Sequence, residues 1–420
     1  MDLTRMEEIL NDQRESFLKR SSGTVRDVNF DKYLKHPRIV VISGVRRAGK
    51  STLLKQFSEK IENFHFANFD DERLFDFGLD DFQTMMLAFH KRSSSKNIIL
   101  DEIQNIAQWE RFVRRIHDEG YKVFLTGSNA KLLSSELGTH LTGRYVKIKL
   151  FPFSFREFLE FKGTVISEIT TEAKARILVH FDDFLKNGGF PEYLLYKEPE
   201  FLKRTYDDII YRDIITRHGI RNVRQFKQLS HYLFSNFTKD LSYNSLKIPL
   251  GFSNITTLTN YIHYLEESYL LFELFSFDYS VKKQRVRPKK IYAIDNKLRN
   301  VVSFSFSKDN GNNLENLIFL ELKRRGQDIY FYREKGECDF VILDRSAVIH
   351  LIQVTFALDK HNRRREIAGI AEAMENLNCN RGTIITVNQD ELIHHRGKEI
   401  KVVPAWRWLL ESNQADMHSS

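Results

Sequence analysis

Apolar positions fall into two regimes along the chain. Between residues 38 and 150, short apolar runs alternate with stretches at helical spacing. Runs at 38–43, 64–69, 97–100, 122–126 and 145–149 read as strands, and 108–118 reads as one of the amphipathic helices between them. Strand–helix alternation of this kind argues for a parallel sheet covered by helices on both faces. From Pro152 to Tyr211 the period turns helical. Phe153, Phe155, Phe158 and Phe161 crowd together there, and Asn187-Gly-Gly-Phe-Pro191 marks a turn. Residues 222–295 carry three helical patterns, then apolar runs near 269–277 and 290–294. Three helices followed by a hairpin is the outline of a winged-helix domain. The last segment, about 310–410, opens with a helix at 314–325 and continues with strands at 329–332, 338–343 and 348–355. A helix at 360–377 and a strand at 381–387 complete a second α/β unit.

Length and composition narrow this reading. A chain of 420 residues is too long for one core and predicts two to four domains. With 42% hydrophobic and 29% charged residues, and only 7 prolines and 19 glycines, neither disorder nor a repeat architecture is expected. The first 20 residues read as a charged helix without the apolar core of a signal peptide. No apolar run approaches the ~20 residues of a membrane span, so no membrane partner is expected. Cys338 and Cys379 are too few for a disulfide framework or a four-ligand zinc site, and a reducing cytoplasm is the expected location. The net charge of +8 permits a nucleic-acid partner without requiring one.

The chemistry begins at Gly44-Val-Arg-Arg-Ala-Gly-Lys-Ser51, which fits the phosphate-binding pattern G-x-x-x-x-G-K-[ST]. A strand precedes it and Thr52 opens a helix, so Gly44, Arg47, Ala48, Gly49, Lys50, Ser51 and Thr52 form the expected nucleotide cradle. Lys50 reaches the β- and γ-phosphates, and Ser51 offers its hydroxyl to magnesium. The strand 97–100 ends in Asp101-Glu102. Asp101 is placed to hold magnesium, and Glu102 to polarise the attacking water. The next strand ends in Gly127-Ser128-Asn129, where Ser128 and Asn129 are candidates for sensing the γ-phosphate. Arg144, just before the fifth strand, is a candidate for neutralising transition-state charge at a neighbouring subunit's nucleotide. Arg46 and Arg47 inside the loop are cations able to face phosphate, a neighbour or solvent.

Taken jointly, these motifs resemble a group of AAA+ ATPases from bacteria and archaea that are joined to a nuclease-like C-terminal domain of unassigned function. The likeness extends through Asp101-Glu-Ile-Gln104, Leu125-Thr-Gly-Ser-Asn129, Leu141-Thr-Gly-Arg144, Pro152-Phe-Ser-Phe-Arg-Glu-Phe158, Gly188-Gly-Phe-Pro-Glu192, Lys290-Ile-Tyr-Ala-Ile-Asp295 and Leu314-Glu-Asn316. It implies an AAA+ fold, hydrolysis of ATP with Mg2+ and assembly into a homo-oligomer, with a ring as one form. The expected fold class is a multidomain α/β chain. An N-terminal helix (1–30) precedes an AAA+ core with a P-loop parallel sheet (31–160). A helical lid (161–221), a winged-helix-like domain (222–295), a PD-(D/E)XK nuclease-like α/β domain (296–412) and a tail (413–420) follow.

In the last domain, Glu315 on a helix, Asp339 on a strand and Gln353-Val-Thr355 on the next strand resemble the core of restriction-endonuclease-like and junction-resolving nucleases. In those enzymes the acids hold magnesium and a lysine stabilises charge. Here Thr355 stands where the lysine belongs and Gln353 replaces an acidic ligand, so the resemblance implies a degenerate site with cleavage lost. For DNA contact, the candidates are Thr256 and Thr257 at the start of a recognition-type helix. Lys282, Lys283, Arg285, Arg287, Lys289 and Lys290 add a basic run, and Arg363-Arg-Arg365 a further patch. Each basic run is equally what a solvated face looks like. Three readings stay open. The first is an ATPase acting on DNA, branched DNA or mobile elements included. The second is a nucleotide-switched protein remodeller or scaffold. The third is an ATP-dependent nuclease, which Thr355 disfavours.

Overall fold

The computed structural model of the chain describes residues 1–127, 141, 143–164, 170–303 and 310–411. It divides into two compact units, Met1–Pro152 and Phe153–Ser420. The first begins with helices α1 (Leu3–Lys19) and α2 (Phe30–Lys35). Strands β1 (Ile39–Gly44), β2 (His65–Asn68), β3 (Asn97–Asp101), β4 (Lys122–Gly127) and β5 (Tyr145–Leu150) alternate with α3 (Lys50–Ser58), α4 (Asp81–Arg92) and α5 (Trp109–Asp118). The strands form one sheet in the order β2-β3-β4-β1-β5, and all its pairings are parallel. The runs of β1, β3 and β4 are buried along nearly their whole length, as parallel strands covered on both faces are, whereas β5 at the sheet edge is only partly covered. Val41, Ala67, Leu100 and Leu125 face a core shared with Phe82 of α4 and Phe112 of α5, whose rings stack at 4.0 Å. On the other face Phe57 of α3 meets Phe124 at 5.2 Å.

The N-terminal helix, set apart in the sequence reading, belongs to this core. It buries Met6, Ile9, Leu10, Gln13 and Phe17, and Phe17 stacks on Phe66 of β2 at 4.0 Å. Gln13 donates to the Asn68 carbonyl (3.0 Å) and accepts from the Asn68 amide (2.9 Å). A side-chain amide thus satisfies the open edge of β2 as a neighbouring strand would.

The second unit holds two sheets. β6 (Asp240–Leu241), β7 (Leu271–Phe275) and β8 (Lys289–Ala293) form an antiparallel sheet in the order β6-β8-β7. The helices Val223–Ser235, Tyr243–Lys247 and Ile255–Glu267 precede the β7–β8 pair, and Val281–Val286 forms a short helix between its strands. A six-stranded mixed sheet follows in the order β13-β14-β12-β11-β10-β9. Its strands are β9 (Asp328–Arg333), β10 (Glu337–Asp344), β11 (Ala347–Val354), β12 (Gly382–Thr386), β13 (Glu391–His395) and β14 (Lys398–Pro404). The helix Arg363–Asn376 covers one face through Ile370 and Met374 against Val341 and Leu351. The helix Asn310–Arg324 meets the other through Phe319 and Phe340. The two sheets are tied where the Phe277 amide donates to the Phe331 carbonyl at 2.7 Å. No described helix is long and apolar enough to cross a membrane.

Candidate active site

Strand polarity brings the carboxyl ends of β1, β3 and β4 to one end of the first sheet, the usual place for ligands in open parallel sheets. Ser43 lies level with Gly127, and Asn68 with Asp101. Gly44 closes β1 against Leu150, where a Cβ would lie 2.0 Å from the Leu150 carbonyl oxygen, so only glycine fits. The loop then turns through Arg47 (φ +66) and Gly49 (φ +92), both in positive-φ backbone. Gly49 stands at the N-cap of α3, and no side chain caps that helix. Its first amides and dipole therefore face the loop. Lys50 is buried inside the turn, its ammonium donating to the Gly44 and Val45 carbonyls at 3.2 and 3.1 Å. Ala48 is buried, Thr52 and Arg46 are half-buried, and Arg47 is exposed.

A residue the sequence reading passed over holds this loop from outside. Arg26 is buried, donating to the Ala48 carbonyl and the Phe151 carbonyl, each at 2.7 Å. Gln56 of α3 fixes the segment that carries it, donating to the Ser22 and Thr24 carbonyls at 2.7 and 2.8 Å. Residues 20–28 thus strap the phosphate loop to the end of β5. No sequence signal marks Arg26, because the partners are carbonyls, which any residue provides.

Asp101 and Glu102 meet the loop across β4. Because β4 separates β1 from β3, the acidic strand lies two strand spacings, about 10 Å, from the loop strand. Thr126 on β4 fills the interval. Its hydroxyl donates to an Asp101 carboxylate oxygen and accepts from the Glu102 amide at 3.1 Å. The Ser51 hydroxyl also hydrogen-bonds Asp101. Burial, and next the Glu102 charge, push the Asp101 carboxyl upward, while Thr126, Ser51 and Arg20 pull it back. Glu102 sits at φ +53, a conformation that costs a non-glycine residue about 1–2 kcal/mol, and its carboxylate accepts from Gln104. An uncapped helix start, an ammonium, and a hydroxyl joined to a buried carboxylate make a donor set that fits a polyphosphate with a divalent cation.

Ser128 and Asn129 lie outside the described residues. Arg144 lies at the amino end of β5, where its carbonyl accepts from the Ile39 amide, so it is about 20 Å along the strand from Leu150 and the loop. It is half-buried and pairs with Asp118 at 3.2 Å.

In the second unit, Glu315, Asp339 and Gln353 converge and Thr355 does not. Thr355 turns into its own bend, bonded to the Ala357 carbonyl and Asn362. Gln353 accepts from the Asp339 amide and donates to Glu366. Two of the basic residues expected to contact DNA are instead buried. Lys289 donates to the Arg285 carbonyl and covers the Tyr243 ring at 4.2 Å. Lys290 points into the carboxylates of Glu315 and Asp339. Both are strand residues of β8, and strand burial overrides the surface habit of lysine. Arg287 is half-buried against Asp278 and Glu334, while Lys282, Lys283, Arg285 and Thr256 are exposed and Thr257 is half-buried. In the arginine triplet, Arg363 forks onto Glu391 and Arg365 pairs with Glu366.

Family models match three consecutive stretches: an AAA domain over 36–159 and domains of unknown function over 179–309 and 310–408. An uncharacterized protein of Methanocaldococcus jannaschii is 37% identical over 96% of this chain and 95% of its own length. An uncharacterized protein of Haemophilus influenzae is 30% identical over 78% of this chain and 85% of its own. Among solved structures, Aeropyrum pernix Orc1 in complex with DNA overlays with a TM-score of 0.32 at 11% identity, over 69% of this chain and 91% of that one. AMPPCP-bound DnaA from Aquifex aeolicus gives 0.26 at 13%, over 56% and 85%. The chain belongs to the family of its two sequence relatives, and its residues 36–159 match the AAA domain.

Proposed function

We propose that the chain is a magnesium-dependent AAA+ ATPase that works as an oligomer on or with DNA. The observation carrying the ATPase reading is the Ser51–Asp101–Thr126–Glu102 network beside the glycine-shaped loop. When bound, ATP with magnesium supplies the phosphoanhydride bond and the divalent charge that offsets negative charge on the phosphates. The residues divide the remaining work. Lys50 and the first amides of α3 hold phosphate. Ser51 and Asp101 hold the cation. Glu102, kept at the strand end by its amide bond to Thr126 and its carboxylate bond to Gln104, orients water and takes its proton. Arg144 acts at the site of the next copy.

The DNA reading rests on the 223–293 module. Its order of three helices and three antiparallel strands suits a winged helix, with Ile255–Glu267 as the recognition helix and the β7–β8 connection as the wing. Exposed Lys282, Lys283 and Arg285 stand on that wing beside exposed Tyr279 and Val286. The C-terminal six-stranded domain is read as nuclease-like in fold and without cleavage.

The test is the ATPase rate of the purified chain with no DNA and with duplex, single-stranded and four-way-junction DNA across a salt series. Stimulation by one form, declining as salt rises and absent in Lys50→Ala, supports the proposal. A rate indifferent to every DNA form transfers it to a switch acting on protein.

A further inference from the structure

We propose that the carboxylate cradle of the C-terminal domain is a cation site whose resident cation is the chain's own Lys290 ammonium, which keeps the cradle closed to metal. Lys290 Nζ lies 3.1 Å from Glu315 Oε1, 2.9 Å from Glu337 Oε1 and 2.9 Å from Asp339 Oδ1. An ammonium has three N–H donors, and here each has its own carboxylate. The acids come from a helix and a strand of the large sheet's domain, whereas the lysine comes from β8 of the small sheet. Its side chain is only 3% exposed.

The remaining contacts close the shell. The Tyr292 hydroxyl donates to Glu315 Oε1 at 2.7 Å, and the Val354 amide to Asp339 Oδ2 at 2.9 Å. Arg333 faces the second oxygen of Glu337 at 3.5 Å. Burial opposes charge on Lys290, but Glu315 and Asp339, then Tyr292 and Glu337, outweigh it and hold the ammonium charged. A buried charge persists only where it is paired and hydrogen-bonded, and this one is paired three times. A divalent ion would have to displace the ammonium and leave a lysine buried beside it.

The inference does not rest on the ATPase reading. It is tested on the full-length chain without nucleotide, in an Asp101→Asn background so that the loop's own cation ligand is absent. Mn2+ binding is followed by the loss of free-ion EPR signal, and melting temperature is followed with and without Mn2+. With Lys290 present, no ion is taken up and melting does not respond. Lys290→Ala is expected to melt lower in metal-free buffer, to bind one ion per chain and to regain melting temperature as Mn2+ is added. Adding Asp339→Asn should abolish that uptake. Should Lys290→Ala fail to fold, Lys290→Met with Glu315→Gln, Glu337→Gln and Asp339→Asn is expected to fold, because the uncompensated acids are gone. Ion uptake by the Lys290-containing chain that is lost on Asp339→Asn would overturn the proposal. So would a folded Lys290→Ala chain that takes up no ion or, where Lys290→Ala does not fold, a neutralised quadruple variant that does not fold either.

Discussion

Thr126 is the residue on which the candidate site turns, because one hydroxyl serves both acids. Thr126→Val keeps the shape and removes the donor. It leaves the Asp101 carboxylate short of a hydrogen bond and the Glu102 amide without its acceptor, at a cost of about 1–3 kcal/mol. Turnover is expected to fall on the order of 10-fold or more with ATP affinity changed less, since the phosphate grip lies on the loop. Equal loss in affinity and turnover would assign Thr126 to general stability. A second prediction at this scale concerns protons. Burial lowers His350 to about 3 and His65 to about 4, so both stay neutral in the fold. With folded values below the ordinary 6.5, the unfolded chain protonates first. Their contribution is therefore intact above about pH 6.5 and is lost as pH falls toward about 4 for His65 and about 3 for His350, at up to about 1.4 kcal/mol per pH unit for each group. Asp295, raised by burial to about 6, works in the opposite sense. The difference between wild type and His350→Gln isolates one group. The variant's stability should decline less steeply from pH 7 to 5, and parallel curves would contradict the assignment.

At the scale of elements, the five parallel strands were legible because short apolar-rich runs alternate with helical patterns. Their order was not, since a run buried on both faces carries no mark of its neighbours. That is why the sequence named Ser128 and Asn129 beyond the end of β4 and passed over Thr126 within it. β13 and β14 escaped notice because Glu391, His394, Lys398, Glu399 and Lys401 interleave charge or imidazole with their apolar positions. Lys290 was misread for the opposite reason. Its neighbours Ile291, Tyr292 and Ala293 declare a buried strand, but lysine in a basic run looks like surface. The strap over residues 20–28 was invisible, and it yields a prediction. Arg26→Ala removes two charge-assisted bonds to carbonyls, each typically about 1.5–3 kcal/mol. Loop order should suffer first, so affinity for an ATP analogue should weaken about 10-fold or more while far-ultraviolet circular dichroism is kept. Undiminished affinity would reduce the strap to a packing element.

At the scale of the assembled molecule, Arg144 decides whether one chain suffices. It stands at the far end of β5 from its own phosphate loop, so any part it plays in hydrolysis belongs to another copy's site. Lys50 and Glu102, by contrast, lie on the loop end of the sheet, so the parts proposed for them are played in their own chain's site. In the proposed oligomer the contact is head-to-tail, a kind that closes into a ring where the rotation permits, each chain presenting one half of a site on either side. Arg144→Ala and Glu102→Gln should each be nearly inactive alone, a single transition-state arginine being worth about 10³-fold or more in related phosphoryl transfer. Mixing them restores whole sites wherever an Arg144→Ala loop meets an intact Arg144 from a Glu102→Gln neighbour. With random assembly at equal amounts that is about one interface in four, so the mixture should recover roughly a quarter of wild-type turnover. No recovery on mixing, with Arg144→Ala as active as wild type, would leave Arg144 as the partner of Asp118 alone. Recovery would fix both the oligomer and the direction in which its subunits face, from two proteins that do nothing separately.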